Sequence, residues 1–163
     1  SLFIFKQNMN SLNKTFLPTD NSKNRSWFVI NCKGQTLGRL ATVVTALLKG
    51  KIKPHYHPSI DIGDSVILIN ADSIIINENS KHYLVYNPGR PGHSLKIKDV
   101  ADCLPKLTIE RAIKGMLSRA ETKRLMRRLN IYTDHNHPHQ AQNPVPINIA
   151  NLYSNIQSNI KNN

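Results

Sequence analysis

Lys123, Arg124, Arg127 and Arg128 are spaced to gather on one arc of a helix, at about 100° per residue, with Leu125, Met126 and Leu129 on the arc opposite. A helix of that kind packs with one side and offers cations with the other. The chemistry such cations do well is to hold phosphate oxygens. Arginine adds a planar fork that also stacks on exposed bases. Arg111, Lys114 and Arg119 extend the cluster upstream. A merely solvated face would interleave Lys with Glu, but Glu121 is the only acid between Arg111 and Arg128, and that favours phosphate contact.

A second basic site lies in the tract KGKIKPHYHP. Lys49, Lys51 and Lys53 supply charge, and His55, Tyr56 and His57 supply rings that can stack on unpaired bases. A loose basic loop would have the same composition; taken with the basic helix, the tract favours the RNA reading. Arg90 stands in the loop NPGRPG, where glycine permits close approach to a ligand and proline stiffens the chain. A simple surface turn reads the same way from that loop alone. Arg39 closes the turn GQTLGR and is assigned to the RNA-facing set.

Other chemistries fit less well. GQTLGR lacks both the GxxxxGK[ST] and the GxGxxG spacing of phosphate loops. Gly38, Thr42, Thr45 and Ala46 form a small-residue helix face there, which suits close packing against a helix or RNA. His135, His137 and His139 alternate in HNHPHQAQ and could supply zinc ligands. Pro138 interrupts them and no cysteine is near, so hydrogen-bonding or stacking histidines are expected, His137 and His139 among the RNA contacts. Asp61 and Asp64 in DIGD read as a turn into a buried strand rather than a metal site. No grouping supplies nucleophile, base and orienting acid together. The expectation is a protein without catalysis, cofactor or metal.

The positioning elements follow from the apolar pattern. Ser26–Lys33 reads as a strand broken by Gly34. Thr36 reads as the cap of a helix whose Leu37, Leu40, Ala41, Val44, Leu47 and Leu48 share a face, ended by Gly50. Val66–Asn70 is a continuous apolar run, as in a strand covered on both faces. Ile74–Ile76 suggests a short strand, Lys98–Leu104 a short helix, Thr108–Leu117 a second clear helix, about Ala120–Leu129 a third, and Ile131–Tyr132 an edge strand. Alternating strands and helices favour helices packed on a parallel or mixed sheet. Residues 1–25 read as a polar arm, 26–134 as the α/β domain, and 135–163 as an extended tail.

The chain has 163 residues, 22 Lys plus Arg against 10 Asp plus Glu, and a net charge of +12. So basic a chain calls for an acidic neighbour. Residues 1–60 carry a net +8, 61–80 a net −4, and 81–163 a net +8, so two basic blocks flank an acidic segment expected to be core strand and turn. The longest apolar runs, Leu2–Phe5 and Val66–Ile69, fall far short of the roughly 20 residues of a spanning helix. The first residues lack the order of a secretory leader. Cys32 and Cys103 allow one disulfide but are expected as reduced thiols.

Taken together, several segments resemble one family, the universal large-subunit ribosomal protein L-thirteen. They are TLGRLAT (Thr36–Thr42), LLKGKIKPHYHPSIDIGDSVILINA (Leu47–Ala71), GRPG (Gly89–Gly92), ERAIKGML (Glu110–Leu117), RRLNIY (Arg127–Tyr132) and HPHQAQNP (His137–Pro144). The resemblance runs from about Asn13 to Pro144. It implies a three-layer α/β/α domain around a four-stranded, mostly parallel sheet. It also implies a structural role in the large ribosomal subunit, binding large-subunit ribosomal RNA and touching neighbouring ribosomal proteins, with no membrane and no homo-oligomer. By resemblance, RNA-facing motifs fall on Lys49–Lys53, Arg90, Lys114 and Arg127–Arg128.

Where the family has proline after GML this chain has Ser118, which implies two helices bent together rather than sharply separated. His93 replaces a glycine after GRPG, which implies altered loop geometry. NKTFLP (Asn13–Pro18), HPHQAQNP and 19 asparagines, with many Ile and Lys, point to a plastid ribosome. YHPSIDIGD and MRRLNIY keep a mitochondrial ribosome as the alternative. A free RNA-binding regulator would present the same surface.

Overall fold

In the computed structural model, residues 25–76, 82–86, 88–89, 91–92, 95–99 and 103–149 are described. The apolar run at Trp27–Asn31 forms β1, and the turn after it leads into helix α1, Leu37–Lys49. Thr36 stands at the N-cap in an extended conformation, without a side-chain capping bond. Gly50 ends α1 at φ 75°, its N–H turned back onto the Ala46 and Leu47 carbonyls. That left-handed position is costly for any residue with a Cβ.

Ser65–Ile69 forms β2, and all five of its residues are buried, as a strand covered on both faces must be. Two short strands follow, β3 (His82–Tyr86) and β4 (Leu95–Asp99), paired antiparallel in a separate ribbon. Helices α2 (Pro105–Met116) and α3 (Arg119–Met126) precede β5 (Leu129–Ile131) and β6 (Val145–Ile147). The main sheet has the order β5-β2-β1-β6, and every pairing in it is parallel.

Strand alternation sorts the side chains. Ile30, Val66, Leu68 and Ile131 point to one face and form a single core with Leu40, Val44 and Leu48 of α1, Ile109 and Ile113 of α2, and Leu125 of α3. Each such apolar side chain contributes about 1.5–3 kcal/mol on burial. Ile67 and Ile69, on the other face, are buried too, and on that face His139 stacks against Trp27, ring centroids 5.3 Å apart. The fold is α/β, with a parallel four-stranded sheet.

Five expectations need correction. The segment Lys98–Leu104 does not open as a helix, because β4 runs to Asp99; Leu95 and Ile97 alternate with lysines at a strand's period of two. Helix α2 starts at Pro105 rather than after Thr108, since proline in the first turn forfeits no helical hydrogen bond. The break between α2 and α3 is sharp without proline. Leu117 and Ser118 are both extended (ψ 149° and 146°), Leu117 is drawn into the core, and Ser118 stands at the N-cap of α3 without a side-chain bond to the helix backbone.

The fourth concerns the tail. Past Asp134 the chain makes a short turn at Gln140–Gln142 and returns as β6 alongside β1, and Ile149 is buried in the core. The residues to 149 therefore complete the sheet instead of trailing from it. The Ile74–Ile76 strand reduces to one bridge, between Ile75 and Thr36.

Candidate nucleic-acid interface

The parallel sheet collects cations at the end where its strands begin. Lys49 closes α1, the loop 50–64 leads into β2, and Arg127 and Arg128 lead into β5. Asp61 sits in the middle of this edge. Its carboxylate meets Arg128 at 2.8 Å, Arg124 at 3.2 Å and Arg25 at 3.6 Å. Asp64, the other acid of the DIGD turn, takes the Lys53 ammonium at 2.7 Å and the Ser26 backbone N–H at 2.9 Å. The acidic segment thus ties the basic blocks together from inside.

These contacts divide the cations assigned from sequence. Arg128 is 10% exposed at its side chain and donates to the Leu48 and Gly63 carbonyls as well as to Asp61. Lys53 donates to the Ile62 carbonyl and to Asp64. Both turn inward. Lys123 and Arg127 are exposed, and Arg124 keeps 59% of its side chain in solvent while touching Asp61. The four do not share one arc because α3 stops at Met126. Arg127 is its C-cap and Arg128 already belongs to the approach to β5.

In the loop, Lys51, His55 and Tyr56 are exposed. His57 is held by Ser59, whose hydroxyl lies 2.6 Å from Nδ1. Lys49 is mostly covered, its ammonium 3.5 Å from Glu121. Glu121 also accepts a hydrogen bond from the Ser118 hydroxyl at 2.8 Å. That hydrogen bond, with the charges of Lys49 and Arg124, holds the Glu121 carboxyl below its ordinary value against a smaller opposing effect of burial.

The remaining residues lie elsewhere. Arg39 is exposed in the first turn of α1, about 15 Å along the helix from Lys49. Arg111, Lys114 and Arg119 are exposed on α2 and at the start of α3, and Lys114 pairs with Glu110 at 3.1 Å. His139 accepts or donates to the Tyr132 hydroxyl at 2.8 Å, and His137 is half-buried. Arg90 and His93 lie outside the described residues. Sequence reasoning missed Arg25, placed in the polar arm, and the organising role of Asp61. The signal available was one acid-rich segment between two basic blocks.

Among the described residues no group of three His, Cys, Asp or Glu side chains could hold a metal, and no helix is long and apolar enough to cross a membrane. Thr45, on the small-residue face, sets its hydroxyl 3.9 Å from the Met116 sulfur of α2, which is helix packing rather than a nucleotide loop.

Residues 25–138 match the family model of ribosomal protein L13. The chain belongs to the ribosomal protein L13 family. It is 44% identical over 137 residues to the large ribosomal subunit protein uL13c of Trieres chinensis, covering 83% of this chain and 97% of that one. It is 42% identical over 139 residues to large ribosomal subunit protein uL13 of Prochlorococcus marinus strain MIT 9303, covering 82% and 92%. The uL13 of Synechococcus elongatus is 41% identical over 144 residues, covering 85% and 95%. The span matched to the L13 family begins at Arg25 and includes the whole Asp61 network.

Proposed function

We propose that this chain is a structural, non-catalytic constituent of the large ribosomal subunit. It binds large-subunit ribosomal RNA through the cations at the strand-start edge and supports subunit assembly beside neighbouring ribosomal proteins. Lys51, Lys123, Arg124 and Arg127 are the phosphate contacts, with His55 and Tyr56 as stacking groups. Arg39, Arg111, Lys114, Arg119, His137 and His139 are secondary contacts, and Arg90 belongs to the same set by resemblance. Arg128 and Lys53 act by holding the loop and α3 in register.

The observation that carries this reading is that membership of the L13 family coincides with exposed cations on α3 and on the loop facing it. The plastid ribosome is the proposed location, because a uL13c and cyanobacterial uL13 proteins are its relatives. Fractionation of native ribosomes tests both points. The chain should sediment with large subunits of plastids. Its recovery only in RNA complexes lighter than a subunit would favour a free regulator instead.

A further inference from the structure

We infer that the cleft between the 49–61 loop and α3 takes one unpaired ribonucleotide, with its phosphate between Lys49 and Arg124 and its base against Tyr56. The inference rests on the RNA-binding reading and specifies a site within it. The cleft is small, with room for about 20 Å³, and opens to solvent, so the nucleotide lies across its mouth. It is lined by Tyr56, Pro58, Ile60 and Leu125 and by the charged groups Lys49, Asp61, Glu121 and Arg124. A ligand that answers both the ring and the cations carries a planar ring and an anion on one unit. A base inside a duplex cannot present its face to a side chain, whereas an unpaired base can.

The charge arrangement supports a phosphate. Lys49 and Arg124 line the cleft together with Asp61 and Glu121, and Arg25 and Arg128 hold Asp61 from beside it, so the network around the cleft keeps a positive excess. Arg124 can leave Asp61 for a phosphate without abandoning a buried anion, because Arg128 and Arg25 still hold that carboxylate. Glu121 occupies the Lys49 ammonium in the free protein and stays bound to Ser118 when a phosphate takes its place. It is an internal competitor for the site.

The test uses the full chain with tetrauridylate, a short RNA duplex and large-subunit ribosomal RNA as probes. Tyr56→Leu should weaken tetrauridylate about ten-fold or more, as loss of base–ring stacking does, and leave duplex affinity within about two-fold. Tyr56→Phe, which keeps the ring face, should restore binding. Glu121→Gln should tighten tetrauridylate about three-fold by removing the competing carboxylate. Equal effects of Tyr56→Leu on both short probes, no effect on either, or weaker binding by Glu121→Gln would overturn the site while ribosomal RNA binding by the unaltered chain still stood. Failure of the unaltered chain to bind ribosomal RNA would remove the broader reading and this site with it.

Discussion

The Arg128 guanidinium lies 2.8 Å from the Asp61 carboxylate and joins positions 67 residues apart. The same group donates to the carbonyls of Leu48 and Gly63. One side chain therefore fastens the end of α1, the turn into β2 and the approach to β5. Arg124 reaches the same carboxylate from the solvent side. Two arginines four residues apart thus do different work, one inside the fold and one at its surface.

That division sets opposite outcomes for two substitutions. Arg128→Ala leaves the Leu48 and Gly63 carbonyls without this donor and Asp61 held only by Arg124 and Arg25, and should cost about 2–4 kcal/mol of stability. Arg124→Ala removes a largely exposed partner and should cost about 1 kcal/mol or less, while weakening RNA binding. Urea unfolding of both variants checks this; similar losses would contradict the assignment.

Gly63 lies where α1 and the turn into β2 touch. A Cβ there would overlap the Leu48 carbonyl oxygen, which is backbone and cannot swing away. Gly63→Ala should destabilise by about 1–3 kcal/mol or more. A thermal midpoint equal to that of the unaltered protein would show that the contact is looser than described.

Much of this was legible in the sequence. The α1 face, the Gly50 stop and the β2 run follow from spacing alone, and Leu40, Val44, Leu48 and Val66–Leu68 are buried as expected. Two kinds of feature were not legible. The fate of Arg128 depended on where α3 ends, and helix ends are set by tertiary contacts: Leu125 enters the core and Leu129 pairs with Val66. β6 is only three residues, with a proline at its centre, and gives no periodic signal before β1 is there to receive it.

Glu121 should make stability depend on pH in the acid range. Its folded-state value is depressed, so its contribution is complete above the ordinary value of 4.5 and is lost as pH falls through the lower folded value. Glu121→Gln should therefore lose less stability than the unaltered chain between neutral pH and the acid side of that window. Parallel curves of melting midpoint against pH would exclude this role.

Cys32 is fully buried, and burial pushes its thiol up to about 12. At mildly alkaline pH it stays protonated and should resist alkylation in the folded chain, reacting promptly in denaturant. Mass spectrometry of a timed maleimide reaction reads this at the residue. Rapid native labelling at Cys32 would mean that the core beneath β1 opens readily.

The most direct test is the salt dependence of binding to large-subunit ribosomal RNA, for the unaltered chain and for Lys123→Glu/Arg127→Glu. Several phosphate contacts predict an affinity loss on the order of a thousand-fold between low and moderate salt, with a weaker affinity and a shallower slope in the double variant at unchanged stability. Salt-insensitive binding, or a double variant that binds as tightly as the unaltered chain, would contradict an interface built from these cations.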